Sequence, residues 1–230
     1  MTTIRASCFA LAFIAPSSAL AADAAHPTVV ELFQSQGCSS CPPAAANVRA
    51  ISGRPDVLAL AFEVDYWDRL GWKDTFSSPA WTERQYAYAR TMGRDGVYTP
   101  EVVVNGRIEG DGLEPERLAA LVREGDRGAR GPEVSFAGGV VKVAQGTAPE
   151  RGADVWLVRY DPRVVEVAVR RGENAGRVLP HRDVVHGLIL LGHWEGRAQS
   201  FSPPADREGL AEAAIVQETG GGPILAAAKK

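Results

Sequence analysis

The chain has 230 residues, 45% of them hydrophobic, 23% charged and 7% aromatic. That composition fits one or two ordinary globular domains and argues against extensive disorder, collagen or a multi-span membrane protein. A formal charge of −3, with 25 Lys and Arg against 28 Asp and Glu, offers no electrostatic footprint for nucleic acid or an anionic membrane.

The chain opens MTTIRASCFALAFIAPSSALAADAA. Arg5 precedes a short apolar core from Ala6 to Pro16, and Ala19-Leu20-Ala21 supplies an A-x-A cleavage pattern. That order predicts a secretory signal peptide over residues 1–21, cleaved after Ala21, and a periplasmic or secreted product. The apolar run is shorter than the ~20 residues a bilayer span needs, and no later segment reaches that length either, so no membrane span is expected after cleavage. Cys8 leaves with the leader. The remaining pair, Cys38 and Cys41, meets an oxidising compartment with no third cysteine to pair with.

Residues 26–33 (HPTVVELF) predict a short buried strand, followed by a turn over 34–37. A helix is predicted from near Cys41. Pro42 and Pro43 suit its first turn, where the backbone N–H is unpaired anyway, and Ala45, Val48 and Ile51 recur at helical spacing. Gly53 and Pro55 end it. Residues 57–64 (VLALAFEV) read as a strand buried on both faces. An aromatic loop follows, Asp65-Tyr66-Trp67-Asp68-Arg69-Leu70-Gly71-Trp72. Ser78 caps a second helix with Pro79 at its first position. Thr99-Pro100 leads into a strand, Asn105-Gly106 is a hairpin signal, and 107–109 is the return strand. A last helix is predicted over 114–123, with Leu118, Leu121 and Val122 inward.

Residues 26–124 are therefore expected to form one α/β domain whose first strands are parallel, because helices join them. Residues 125–132 (GDRGARGP) read as a linker, and 133–227 as a second, β-rich domain of short strands and turns, sandwich-like or a small barrel.

The chemistry centres on Cys38-Ser39-Ser40-Cys41 at a strand-to-helix junction. A helix N-terminus carries partial positive charge and unpaired N–H groups, which stabilise a thiolate on Cys38. The thiol is expected to fall from ~8.5 into the ~3.5–7.5 range of activated cysteines. Cys38 is the candidate nucleophile in disulfide exchange and Cys41 the resolving thiol. Two other readings stand beside this one. The pair could be an inert structural disulfide, although so short a loop constrains the unfolded chain little. It could also bind a soft ion such as Cu(I), although two sulfurs alone do not complete a zinc site.

Asp65 follows the second strand, at the end of the sheet where ligands of open α/β sheets gather, and is a candidate proton relay. Trp67 and Trp72 read as packing residues or as a wall beside the cysteines. His181, His186 and His193 lie five and seven residues apart, a spacing that matches no compact metal signature. Residues 172–177 read as a hairpin connection whose glycines supply positive φ. No phosphate loop, hydrolase triad or zinc helix is present, and the motifs imply no cofactor and no metal.

The first strand, Cys38-Ser39-Ser40-Cys41-Pro42 and Thr99-Pro100 before a strand ending in a glycine turn together resemble the thioredoxin fold. That resemblance implies a cis-proline at Pro100 facing the cysteines and a Thr99 backbone edge open to an extended substrate segment. More narrowly, VELFQSQGCSSCPPA, VDYWDRLGWKD, YTPEVVVNG, RRGENAGR and QETGGGPIL resemble the exported bacterial family called domain of unknown function 1223. The family implies a thioredoxin-like domain plus a β-rich region over nearly all of the mature chain, and no particular reaction. Glu63 departs from its expected pattern, where histidine is anticipated.

The combined expectation is an exported thiol–disulfide oxidoreductase acting on other exported proteins through Cys38 and Cys41, with Thr99, Pro100, Asp65 and Trp67 shaping the site. The alternative is a non-enzymatic periplasmic protein that binds copper or a protein partner. The residue types fix neither the direction of exchange nor an oligomeric state.

Overall fold

The computed structural model describes residues 21–230; the leader over 1–20, with Cys8, lies outside the described residues. The first half runs β1 (Thr28–Gln34), α1 (Cys41–Ile51), β2 (Val57–Glu63), α2 (Pro79–Thr91), β3 (Glu101–Val104), β4 (Ile108–Gly110) and α3 (Pro115–Glu124). Each boundary has a local cause. Pro42 and Pro43 occupy the first turn of α1, and the Ser78 hydroxyl accepts the Ala80 N–H to cap α2. Asn105 and Gly106, with φ of 47° and 61°, make the tight turn that pairs Val104 with Ile108. Gly106 has no room for a side chain, since a Cβ there would lie 2.7 Å from the Gly222 carbonyl oxygen.

The second half is built of strands: β5 (Val134–Ala137), β6 (Val140–Val143), β7 (Ala153–Asp161), β8 (Val165–Ala168), β9 (Val178–His181), β10 (Val184–Trp194), β11 (Gln199–Phe201), β12 (Ala211–Glu218) and β13 (Ile224–Lys229). Its long strands join those of the first half in one mixed eight-stranded sheet, ordered β13-β12-β7-β10-β2-β1-β3-β4. Strands β1 and β2 are parallel along their whole length, while β3 is antiparallel to β1. The seam is short. Val184 pairs with Ala61 in parallel, and the Ala61 N–H donates to the Asp183 carbonyl at 2.8 Å.

This corrects the expected fold class. The chain is not a thioredoxin-like α/β domain followed by a β-sandwich; it is mostly β, and the described residues hold three α-helices. The physical reason is the open edge of β2. Strand β10 pairs onto that edge at Val184 and Ala61, so the later strands extend the first sheet instead of closing on a second one. Two small sheets remain outside it, β11-β6-β5 and β8-β9.

One face of the central strands packs Val30, Leu32 and Val102 against α1 and α3. The other packs Phe33, Phe62, Trp81 and Tyr88 into an apolar core that continues through Val158 and Ile215 of the second half. A third cluster around Trp194, Phe201 and Val216 lies beneath the small sheet. Among the described residues, no helix is long and apolar enough to cross a membrane.

Candidate functional site

The parallel strands β1 and β2 end together at Gln34 and Glu63. The chain leaves β1 through Ser35-Gln36-Gly37 and enters α1 at Cys41. Cys38 and Cys41 are joined in a disulfide, with Cα atoms 5.4 Å apart. The loop is closed by its own backbone: the Cys38 N–H donates to the Ser35 carbonyl and the Cys41 N–H to the Cys38 carbonyl. Ser40 occupies the N-cap position without capping the helix; its hydroxyl lies 3.4 Å from Cys38 Sγ instead. Pro42 and Pro43 have no N–H to offer, so this hydroxyl is a polar partner of the sulfur that the helix terminus alone would not supply.

The segment between β8 and β9 grips this loop. Asn174 is fully buried, and its side-chain amide donates to the carbonyls of Gln36 and Cys38, both at 2.9 Å. Arg177 holds Asn174 in turn, through a 2.7 Å bond to Oδ1. The Ser39 N–H donates to Glu173 at 3.1 Å, and the Ser39 hydroxyl and N–H hold the Glu173 carboxyl below its usual range. Gly172 brings this strap against the aromatic loop, where a Cβ would lie 3.3 Å from Trp72 Cβ. The strap covers the first cysteine: Cys38 has no exposed surface, and Cys41 is buried with it.

A cavity of about 190 Å³ opens beside the second cysteine. Cys41, Pro42 and Arg49 line it from α1, Gln34 from the end of β1, and Arg177 and His181 from the strap and β9. Arg49 ties the two walls together by donating to the Pro180 carbonyl at 3.3 Å. His181 is buried, with Nδ1 3.1 Å from Glu63 Oε1; Gln34 donates to the same oxygen at 2.7 Å. Glu63 Oε2 and His181 Nε2 are buried without a partner in the protein, as is Gln36 Nε2. Behind them Asp74 accepts the Gln36 N–H at 2.6 Å and the Phe76 N–H at 2.8 Å. Burial, reinforced by the neighbouring Glu63 charge, pushes the Asp74 carboxyl up to about 9.

The other residues singled out in the sequence make different contacts. Trp67 packs on Gly37, whose added Cβ would sit 3.5 Å from Trp67 Cβ, and its indole N–H donates to Thr99 Oγ1 at 2.8 Å. The Thr99–Pro100 bond is cis and Pro100 is buried. Asp65 is engaged by α2: its carboxylate accepts the Thr82 hydroxyl at 2.5 Å. His193 pairs with Asp154 rather than with His181. Among the described residues, no group of three or more His, Cys, Asp or Glu is arranged to hold a metal ion.

The family described as protein of unknown function (DUF1223) matches residues 29–217. The chain belongs to this family. It is also similar to a protein of Agrobacterium tumefaciens solved by X-ray crystallography, at 34% identity and a TM-score of 0.72, over 90% of this chain and 94% of that one. No curated protein matches.

Sequence reasoning alone did not find Asn174, Arg177, His181, Gln34 or Gln36 as neighbours of the cysteines. The available signal was RRGENAGR, a motif of the family resemblance that reads locally as a glycine turn. It carries a buried asparagine and, in Glu173 and Arg177, two of its four charges engaged at the loop, which a hairpin connection does not need. Glu63 was marked by its departure from the family pattern, and it lies under the cavity as the partner of His181.

Proposed function

We propose that this protein is a thiol–disulfide oxidoreductase working through Cys38 and Cys41. The observation that carries the reading is the placement of the disulfide. It closes four residues at the start of α1, held by a strap from the far half of the chain, with Cys41 at a cavity. A disulfide kept only for stability gains little from so short a loop. It also needs no cavity and no buried polar atoms left unpaired beside it.

In this reading Cys38 is the sulfur that departs or attacks as thiolate, helped by the Ser40 hydroxyl and the N-terminal end of α1. Cys41 completes the pair. Trp67, Thr99 and Pro100 form the flank that shapes the loop, and Asp65 positions that flank through α2. Residues 1–21 read as a leader, which supports a site of action outside the cytoplasm, in an oxidising compartment where disulfide chemistry has partners.

The test is catalysed exchange between glutathione and a reduced, unfolded protein substrate. The wild-type protein is expected to accelerate disulfide formation or reduction above the buffer rate. Cys38→Ser and Cys41→Ser are each expected to lose that acceleration. A rate equal to background, or one that both variants retain, overturns the proposal.

A further inference from the structure

We infer that the partner of the disulfide at the Cys41 cavity is a small thiol carrying an anionic group, and that it forms its mixed disulfide on Cys41, not Cys38. The inference rests on the exchange reading above and specifies its substrate class and the sulfur attacked.

Access decides the sulfur. Cys38 has no exposed surface and lies under the Asn174 strap, whereas Cys41 lines the cavity. Size decides the class of partner. At about 190 Å³ the cavity falls below the ~300–1,000 Å³ of pockets for drug-sized ligands. It takes a molecule of a few heavy atoms, not a folded loop. Charge narrows the class further. Arg49 and Arg177 line the cavity and none of its lining residues is acidic. Each guanidinium spends one hydrogen bond, on the Pro180 carbonyl and on Asn174, of the five N–H donors it carries.

An independent observation also points to a ligand. His181 is nine-tenths buried, lines the same cavity and has no partner at Nε2. With Nδ1–H donated to Glu63, Nε2 is an acceptor, placed to take the proton of an incoming S–H. This is the nucleophile–base–orienter arrangement, with the nucleophile supplied from outside.

The chemistry balances with the thiol as reductant. A thiolate attacks Cys41 Sγ, the Cys38–Cys41 bond breaks, and its electron pair leaves on Cys38. A low-pKa thiolate is the better leaving group, which suits the sulfur beside the Ser40 hydroxyl. A second thiolate attacks the sulfur of the bound group, forming the small disulfide and releasing Cys41 as thiolate. Two thiols lose two electrons, the protein disulfide gains them, and the two thiol protons end on the two cysteines. Run backwards, the small disulfide oxidises the reduced pair.

The test compares reduction of the native disulfide by 3-mercaptopropionate, 2-mercaptoethanol and cysteamine. Each rate is divided by that thiol's rate with a small reference disulfide in the same low-salt buffer. Two guanidinium contacts predict an anion-over-cation preference of about tenfold. Arg49→Gln with Arg177→Gln is expected to abolish the preference, and Arg49→Lys with Arg177→Lys to keep it. Equal normalised rates, or a preference that survives the glutamine pair, overturn the assignment of an anionic thiol.

A second arm identifies the sulfur. Treated with the disulfide of 3-mercaptopropionate, Cys38→Ser is expected to accumulate the adduct on Cys41 faster than Cys41→Ser does on Cys38. The reverse order overturns attack at Cys41. If the folded protein resists all three thiols and yields only after denaturation, the exchange reading itself fails, a result distinct from exchange without charge preference.

Discussion

Two buried carboxylates stand on neighbouring central strands, Glu31 on β1 and Glu63 on β2, and they are treated differently. Glu31 accepts Arg84 Nε at 2.7 Å and the Tyr88 hydroxyl. Arg84 also donates to Tyr88 Oη at 2.9 Å and to Gln217 at 3.2 Å, and it lies over the rings of Phe62 and Tyr88. No buried polar side-chain atom of these four residues lacks a partner. Glu63 has Gln34 and His181 on one oxygen and the raised Asp74 carboxyl as its neighbour, and the His181 ring is left half-bonded. The first cluster ties β1, α2 and β12 into one body. The second lies beside the disulfide with unused hydrogen-bonding capacity. A satisfied buried network holds structure, whereas one left open at a cavity has capacity for a group that arrives from outside.

The largest expected effect follows from breaking the closed network. Arg84→Met leaves Glu31 buried without its cation and is expected to cost about 3–5 kcal/mol in urea unfolding, the usual penalty for removing one partner of a buried pair. The disulfide chemistry should change little in whatever protein remains folded. Next is the strap. Asn174→Ala strands two carbonyls and is expected to cost about 1–3 kcal/mol. It should also speed reduction of the disulfide, read as thiol release under dilute reductant, because the cover over Cys38 is loosened.

A pH dependence comes third. The Asp74 carboxyl is raised in the folded chain, so the folded state binds its proton more tightly than the unfolded state does. Its contribution to stability is present below the ordinary carboxylate range and is lost as pH rises from there toward about 9. Urea midpoints should therefore decline more steeply between pH 5 and 8 in the wild type than in Asp74→Asn. The smallest effect sharpens the contrast. Glu63→Gln keeps the oxygen that His181 and Gln34 use and removes the charge that faces Asp74. Its stability change is expected to stay within about 1 kcal/mol, well below that of Arg84→Met.

Local chemistry was legible in the sequence. The prolines of α1, the Ser78-Pro79 start of α2 and the Asn105-Gly106 turn each act through their own backbone, and each lies where its residue type places it. The cysteine pair was legible for the same reason. What strands do to one another was not. The pairing of Val184 with Ala61 joins residues more than a hundred apart, and no residue type in either strand specifies that partner. Strands β9 and β13 are hard to read as strands, because VLPH carries a proline and ILAAAK is rich in alanine, a helix former. Missing β9 meant missing that His181 stands beside Cys41, and reading RRGENAGR as a turn meant missing the Asn174 grip. The half of the site drawn from the far end of the chain depends on long-range pairing, which periodicity does not report.

The central claim is that Cys38 and Cys41 exchange electrons in the folded protein, and their reduction potential tests it most directly. Equilibration in glutathione buffers followed by counting of free thiols gives the value. A potential between about −120 and −200 mV, the range of known oxidants and isomerases, is the result this account predicts. A value below about −300 mV would mark a structural disulfide and contradict it.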